Sequence, residues 1–241
     1  MDKDEPMTNR EAAIESLRID SPPVTLRELA LDRIREAIVA GTFEPGTRLV
    51  ERTLCDQLGV SRSVIREVIR HLETEGLIEM AKQGPIVARL DWNDARQIYD
   101  IRALLESAAV ADCASMADSV TKARLAAILD ELDRSAAHHD PPTMLDATIE
   151  FYTEIFTSSG HDVAWEIVAR LNSRISRLRV MTLGTANRTV SGPARLREIF
   201  NAIERNDPEA AAAACRQHIA EAARIAEKIL TSATSTAEGS R

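Results

Sequence analysis

Aromatic side chains are scarce: four Phe, two Tyr and two Trp make up 3% of 241 residues, although 44% of the chain is apolar. The core must therefore be built from Ala, Leu, Ile and Val. With 36 alanines that composition favours helix packed on helix and nearly excludes an all-β fold. Cysteine is equally sparse. Cys55, Cys113 and Cys215 are odd in number and widely spaced, which fits buried reduced thiols and neither a disulfide framework nor a zinc knuckle. No run of about 18 apolar residues occurs, and the acidic, polar start lacks the apolar segment of a secretory leader. The expectation is a soluble, cytoplasmic protein with no membrane contact.

An excess of basic charge is also missing. Net charge is −8 and the pI about 5.3, which taken whole argues against a phosphate-rich partner. Split by segment, the charge reads differently. Residues 1–23 carry three Lys/Arg against six Asp/Glu, residues 24–90 ten against ten, and residues 91–241 seventeen against twenty-two. The acidity lies outside the middle segment, which from residue 48 onward holds Arg48, Arg52, Arg62, Arg66, Arg70, Lys82 and Arg89. Local field, not net charge, guides an approaching phosphate backbone.

Residues 1–23 show no sustained apolar period and end in Ser21-Pro22-Pro23, the pattern of a mobile arm. From Leu26, apolar residues recur at helical spacing through Ile38, and Gly41 ends that helix. A short helix over about Glu51 to Leu58 stops at Gly59. Ser61 then stands as an N-cap for a helix carrying Val64, Ile65, Val68, Ile69 and Leu72 on one face, as far as about Glu75. Leu77–Met80 and Ile86–Arg89 are short β-prone runs joined by Ala81-Lys82-Gln83-Gly84-Pro85, a hairpin pattern.

Helix, helix, glycine turn, helix, hairpin is the order of a winged helix-turn-helix over residues 24–90. Its second crossing helix presents Ser61-Arg62-Ser63-Val64-Ile65-Arg66 in the first turn. Arg62 and Arg66, four apart, share a face. Arginine forks onto guanine O6 and N7, and hydroxyls with backbone N–H groups hold phosphates, so this turn suits the major groove of double-stranded DNA.

The stretch from Leu26 to Leu90 resembles the DNA-binding domain of the GntR family of bacterial transcription regulators. The motifs that carry the resemblance are I-x-x-G-x-x-x-P-G-x-x-L (Ile38 to Leu49), L-G-V-S-R-x-x-[IV]-R-E (Leu58 to Glu67) and L-x-x-E-G-L-I (Leu72 to Ile78). The resemblance implies that Arg52, Arg62 and Arg66 contact operator DNA. It implies too that Ser61 and Ser63 hold phosphates and that Gln83-Gly84 form a wing tip entering the minor groove. Pro85 departs from the family pattern, where a small or aromatic residue commonly follows the wing glycine.

Beyond Leu90 the strand pattern vanishes. Helical runs fall at roughly 92–117, 122–137, 143–158, 162–183, 191–205 and 207–230, separated by Asp140-Pro141-Pro142, Ser158-Ser159-Gly160, Gly192-Pro193 and Asp207-Pro208. The expected architecture is mostly α: the winged head with its small hairpin, an all-α bundle over 91–230, and a flexible Ser/Thr-rich tail over 231–241. Tyr99 to Glu106, Phe151 to Gly160 and Ala202 to His218 make the bundle similar to the FCD effector-binding domain that accompanies one large GntR subfamily. Six helices, not seven, place it nearer the VanR-like than the FadR-like branch.

Many relatives hold a divalent metal in this bundle through an Asp-x-x-x-His pair and two further His. Carried onto this chain, the positions are Thr148, Tyr152, Leu196 and His218, of which only His218 is an ordinary ligand. The expectation is no metal and no other cofactor. Arg102, one arginine on an apolar helix face, is then the candidate anchor for an anionic effector, with Thr148, Tyr152 and His218 completing the pocket. Arg170, Arg174 and Arg177 form a basic stripe that reads as a solvated or salt-bridged face in preference to a pocket lining.

These readings converge on a homodimeric, sequence-specific regulator, a repressor as is commonest in the family, answering to a small organic or sugar acid. An alternative keeps the DNA contacts and makes the bundle a ligand-free dimerisation scaffold. An enzyme is disfavoured: residues 91–241 contain only two lysines, Lys122 and Lys228, and no Ser-His-Asp set, CxxC pair or glycine-rich phosphate loop.

Overall fold

A computed structural model describes residues 25–138, 140–183 and 186–238. The expected mobile arm over 1–23, and His139, lie outside the described residues.

The head begins with α1 (Leu26–Val39), closed at its start by a reciprocal cap: Thr25 accepts from the Glu28 backbone N–H and the Glu28 carboxylate accepts from the Thr25 N–H. Helices α2 (Glu51–Leu58) and α3 (Arg62–Thr74) follow, joined by Gly59 at φ 66°. Only glycine adopts that left-handed angle without cost. The chain turns there within three residues, and Ser61 caps α3 by accepting from the Val64 N–H. Leu54, Ile65, Val68, Leu72, Leu77 and Val87 are buried together and close a core belonging to the head alone.

Strands β1 (Ile78–Ala81) and β2 (Gly84–Val87) pair antiparallel, Ile78 opposite Val87 and Ala81 opposite Gly84. The hairpin is tighter than its sequence implied. The turn consists of Lys82 and Gln83, so Gly84 opens β2 instead of sharing the tip, and Pro85 sits inside the strand. Proline is tolerated there because its carbonyl accepts from the Leu49 N–H while Arg48 bridges Ile86 along the outer side of β2.

Among the described residues six helices form the body: α4 (Trp92–Met116), α5 (Ser119–Ala137), α6 (Pro141–Ser158), α7 (Asp162–Leu183), α8 (Ala186–Glu204) and α9 (Pro208–Glu238). Asp91, Asp118, Asp140 and Asp207 each accept a backbone N–H at the start of α4, α5, α6 and α9. The alanines do their expected work where α4 and α9 lie along each other. On these two helices Ala109, Ala114, Ala211, Ala222 and Ala226 are buried in the core, as are Cys113 and Cys215, both free thiols, and small side chains let helix axes approach closely.

Helices α5 and α6 begin two or three residues earlier than the sequence reading placed them, at Ser119 and Pro141, and two boundaries differ more. Gly192-Pro193 does not start a helix: α8 begins at Ala186 and carries Pro193 inside it. A proline there forfeits one backbone hydrogen bond, but both residues are buried, and packing outweighs local propensity in a buried helix. Residues 231–238 of the expected tail continue α9 to Glu238, with the Thr231 and Ser232 hydroxyls donating to the carbonyls of Glu227 and Lys228; residues 239–241 lie outside the described residues. No helix among the described residues is long and apolar enough to cross a membrane.

Candidate DNA-reading face and effector cavity

The first turn of α3 stands clear of the head. Ser61, Arg62, Ser63 and Arg66 are all exposed, as is Arg52 in the first turn of α2. The aliphatic side of α3 is sunk in the core, so the arginines face outward by the helical period alone. The two hydroxyls lie 2.8 Å apart. Among the described residues Arg52 and Arg62 form no ion pair. Arg66 does, its Nε lying 3.1 Å from Glu51 on α2. At the wing, Gln83 is exposed and Gly84 partly so. The Arg48 guanidinium lies over Gly84, within 4 Å of where a Cβ would stand. Arg48 thus adds a wing cation that the motif alone did not place.

The second candidate site lies inside the body, where all six helices meet round one small cavity. Arg102 with Tyr99 from α4, Leu132 from α5, and Thr148 with Met144 from α6 line one side. The rest is lined by Arg179 with Thr182 from α7, Leu196 with Gly192 and Pro193 from α8, and His218 with Ala222 from α9. Of the four residues expected at the effector, three reach this cavity. Tyr152 does not line it; its ring backs Arg179, whose guanidinium carbon lies 5.4 Å from the ring centroid.

Arg102 is not the open anchor that the sequence implied. It is 1% exposed and pairs with Glu106, 0% exposed, one turn along α4, with Nε–Oε1 at 2.8 Å and Nη2–Oε2 at 3.3 Å. Burial works against its charge, but the carboxylate beside it wins and holds the guanidinium above its ordinary range. The cation that sequence reasoning missed is Arg179. It is 9% exposed, its Nε is buried with no hydrogen-bond partner, and among the described residues no carboxylate pairs with it. Burial, then the charge of Arg102, push its pKa down to about 10, so it is still a cation at neutral pH. The signal was present, since Arg179 falls four residues after Ile175 and so lies on the apolar stripe of α7.

The metal positions suggested by the resemblance do not form a ligand set. Thr148 donates its hydroxyl to the Met144 carbonyl, and Leu196 has no donor atom. Tyr152 is a buried phenol whose pKa is raised by burial and by Cys215 and Glu106, so it stays neutral. Among the described residues no three His, Cys, Asp or Glu side chains gather as metal ligands.

Helix α7 also meets the head. Arg177 Nη1 donates to the Ala88 carbonyl over 2.6 Å and Ser173 Oγ donates to Glu75 at 2.5 Å, while Arg174 bridges Asp94 in the first turn of α4, within the body, at 3.3 Å. Glu75 in turn takes both arms of Arg35 from α1, at 3.0 and 2.6 Å. The basic stripe is therefore a bonded face at Arg174 and Arg177, as its charge pattern suggested.

A winged head whose cationic first turn faces outward, bonded to a helical body with an internal cavity, defines a DNA-binding regulator. The comparisons give the family. Residues 26–87 match the bacterial regulatory proteins of the gntR family and residues 97–221 match the FCD domain, the latter over half of the chain. The chain belongs to the GntR family of DNA-binding transcription regulators, in the group with an FCD domain, and is not an enzyme. It is similar to the uncharacterized HTH-type transcriptional regulator YdhC of Bacillus subtilis (strain 168), with 28% identity over 190 residues covering 78% of this chain and 83% of that one. The HTH-type transcriptional repressor RspR of Escherichia coli (strain K12) is 26% identical over 193 residues, again 78% and 83% of the two chains. A solved GntR transcriptional regulator from Rhodococcus sp. RHA1 superposes with a TM-score of 0.72 at 25% identity, covering 83% of this chain and 96% of that one.

Proposed function

We propose that the protein is a cytoplasmic repressor that binds a pseudo-palindromic operator as a homodimer and changes its grip when a small acid enters the cavity of the body. Arg62 and Arg66 read base edges, Arg52, Ser61 and Ser63 hold phosphates, and Gln83-Gly84 with Arg48 reach the minor groove. Repression is supported by the likeness to RspR, named a transcriptional repressor.

The observation that carries the regulatory half is that one helix serves both places: α7 brings Arg179 and Thr182 to the cavity and Ser173 and Arg177 to the head. A ligand that binds one placement of α7 better than another shifts the head by that difference in affinity. The test is fluorescence anisotropy with DNA from upstream of the protein's own gene. A salt-sensitive complex that is lost in Arg62→Ala/Arg66→Ala, and whose affinity changes on adding small carboxylic or sugar acids, is expected. Specific binding by the double variant would overturn the DNA half. A complex indifferent to every acid would leave the body a dimerisation scaffold.

A further inference from the structure

We propose that Arg179 is the anion anchor of the cavity, and that the effector is a short monocarboxylate held by a direct ion pair to this guanidinium without a metal ion. The proposal rests on the reading that the cavity receives the effector, and goes further in naming the group that binds it and the charge and size it selects.

The first argument is charge balance. A guanidinium out of water and without a counter-charge is strongly unfavourable, and proteins ordinarily pair such groups. Arg102 is paired through both arms by Glu106. Arg179, buried beside them, feels the charge of Glu106 without pairing with it and rests on the face of Tyr152, and the aromatic quadrupole is worth much less than a carboxylate of its own. Two guanidinium groups and one carboxylate leave one positive charge, so the complement is one negative charge. A dianion would leave a second carboxylate in the apolar wall of Leu132, Met144 and Leu196.

The second argument is position. The Thr148 and Thr182 hydroxyls that line the cavity already donate to the Met144 and Arg179 carbonyls, which leaves Arg179 as the donor for the polar end of an acid, while the apolar wall suits a short hydrocarbon end. The space is small. Its volume is about 30 Å³, room for a water or two, so a three-carbon acid enters only as the helices part to admit it, and a long chain or a sugar ring demands a far larger opening.

The third argument concerns the metal. With Thr148, Tyr152 and Leu196 at the positions that the resemblance assigns to ligands, one imidazole remains, and a divalent ion there would face the unneutralised charge of Arg179. The guanidinium supplies the positive charge and hydrogen-bond donors for the carboxylate instead.

The experiment is a thermal-shift titration of the full chain with propionate and pyruvate at constant ionic strength, with propionamide as the neutral mimic, succinate as the dianion, and a chelator arm. Millimolar propionate or pyruvate is expected to raise the melting temperature by several degrees, propionamide and succinate much less, and chelator is expected to leave the shift intact. Arg179→Met keeps the length and removes the charge. It is expected to melt no lower than wild type without acid, and to lose the response, its apparent affinity falling on the order of tenfold or more. Arg179→Gln serves as a second neutral variant, and Arg179→Lys is expected to keep part of the response. A response to monocarboxylates undiminished in both neutral variants, or one abolished by chelator, overturns the anchor and leaves the cavity as the effector site. If no acid moves the wild-type melting temperature, both fail together.

Discussion

Arg177 and Arg179 are two residues apart on α7 and point to different destinations, the first to the Ala88 carbonyl at the exit of the wing and the second into the cavity of the body. Two residues along a helix turn through about 200°, so they occupy nearly opposite sides of one rigid rod. A shift or roll of α7 that brings Arg179 onto an anion must also displace the donor at Ala88, and with it Ser173 at Glu75. The proposed coupling requires α7 to adopt two such placements, one favoured by the filled cavity and one by the empty one.

Arg177→Met tests that coupling. Burial lowers the Arg177 pKa, and its hydrogen-bond partner among the described residues is a single carbonyl, so the variant loses a charge-assisted bond worth about 1.5–3 kcal/mol but also sheds a desolvated charge. Expected is a modest fall in the urea midpoint, with acid still stabilising the protein but no longer altering operator affinity. Anisotropy titrations with and without propionate check it. Unchanged modulation in Arg177→Met would show that the signal does not cross at Ala88.

Glu75 gives the junction a dependence on pH. Burial raises its pKa, but the hydrogen bonds from Arg35 and Ser173, with the charges of Arg35 and His71, outweigh burial and leave it below its ordinary 4.5. A carboxyl whose folded pKa is depressed contributes stability above its unfolded value and loses it as pH falls through the folded value. The difference in unfolding free energy between wild type and Glu75→Gln is therefore expected to favour wild type at neutral pH and to shrink from about pH 4.5 downward. Arg170 and Asn172 face the same crevice, so salt weakens the effect without abolishing it. Denaturant midpoints from neutral pH to about 3 measure it, and a constant difference over that range would remove Glu75 as the source.

Local signals carried most of the architecture. Ser61 before α3, Asp140-Pro141 before α6 and Asp207-Pro208 before α9 announce helix starts because caps are decided by neighbours in the chain. Pro193 misled for the same reason, since the burial that keeps it inside α8 comes from other helices. In the DNA-reading turn, Arg62 and Arg66 were legible because exposure follows from the helical period once the buried face is known. The cavity was legible in part. Thr148 and His218 reach it, but Arg102 is taken by Glu106, a partner one turn away that the spacing displayed. Arg179 lay unremarked in the apolar stripe. What no periodicity could supply was the junction, because Ser173 meets a residue 98 positions away and Arg177 one 89 positions away.

The pair Arg102–Glu106 calls for the opposite behaviour from Arg179. Removing one member of a fully buried pair strands the other, at a cost of about 3–5 kcal/mol. Glu106→Gln is expected to destabilise by roughly that amount, since it leaves two guanidinium groups without a counter-charge in one cluster. Arg102→Met/Glu106→Leu removes both charges and is expected to lie within about 1–2 kcal/mol of wild type or above it. Equilibrium urea unfolding of the three proteins decides the matter. A single variant no less stable than the double would mean that the pair is already neutral or hydrated.

The ion pair between Arg66 and Glu51 sets a small toll on DNA binding. In the free protein Arg66 is held by a carboxylate on α2, whereas Arg62 makes no such pair among the described residues. To read a base, Arg66 must leave Glu51, and Glu51 is left near the phosphates with its charge intact. Exposed pairs of this kind are worth up to about 1 kcal/mol, and 62% of the Arg66 side chain is in solvent. Glu51→Gln is therefore expected to tighten operator binding roughly two- to fivefold, mostly at low salt where the carboxylate is least screened. Arg62→Ala, with no pair to break, is expected to cost about 1–3 kcal/mol and relax preference at one base position. Arg66→Ala is expected to cost less by the worth of the released pair. Anisotropy over a salt series with the operator and a scrambled duplex separates these outcomes. Weaker binding in Glu51→Gln would mean that the carboxylate positions Arg66 for the groove instead of withholding it.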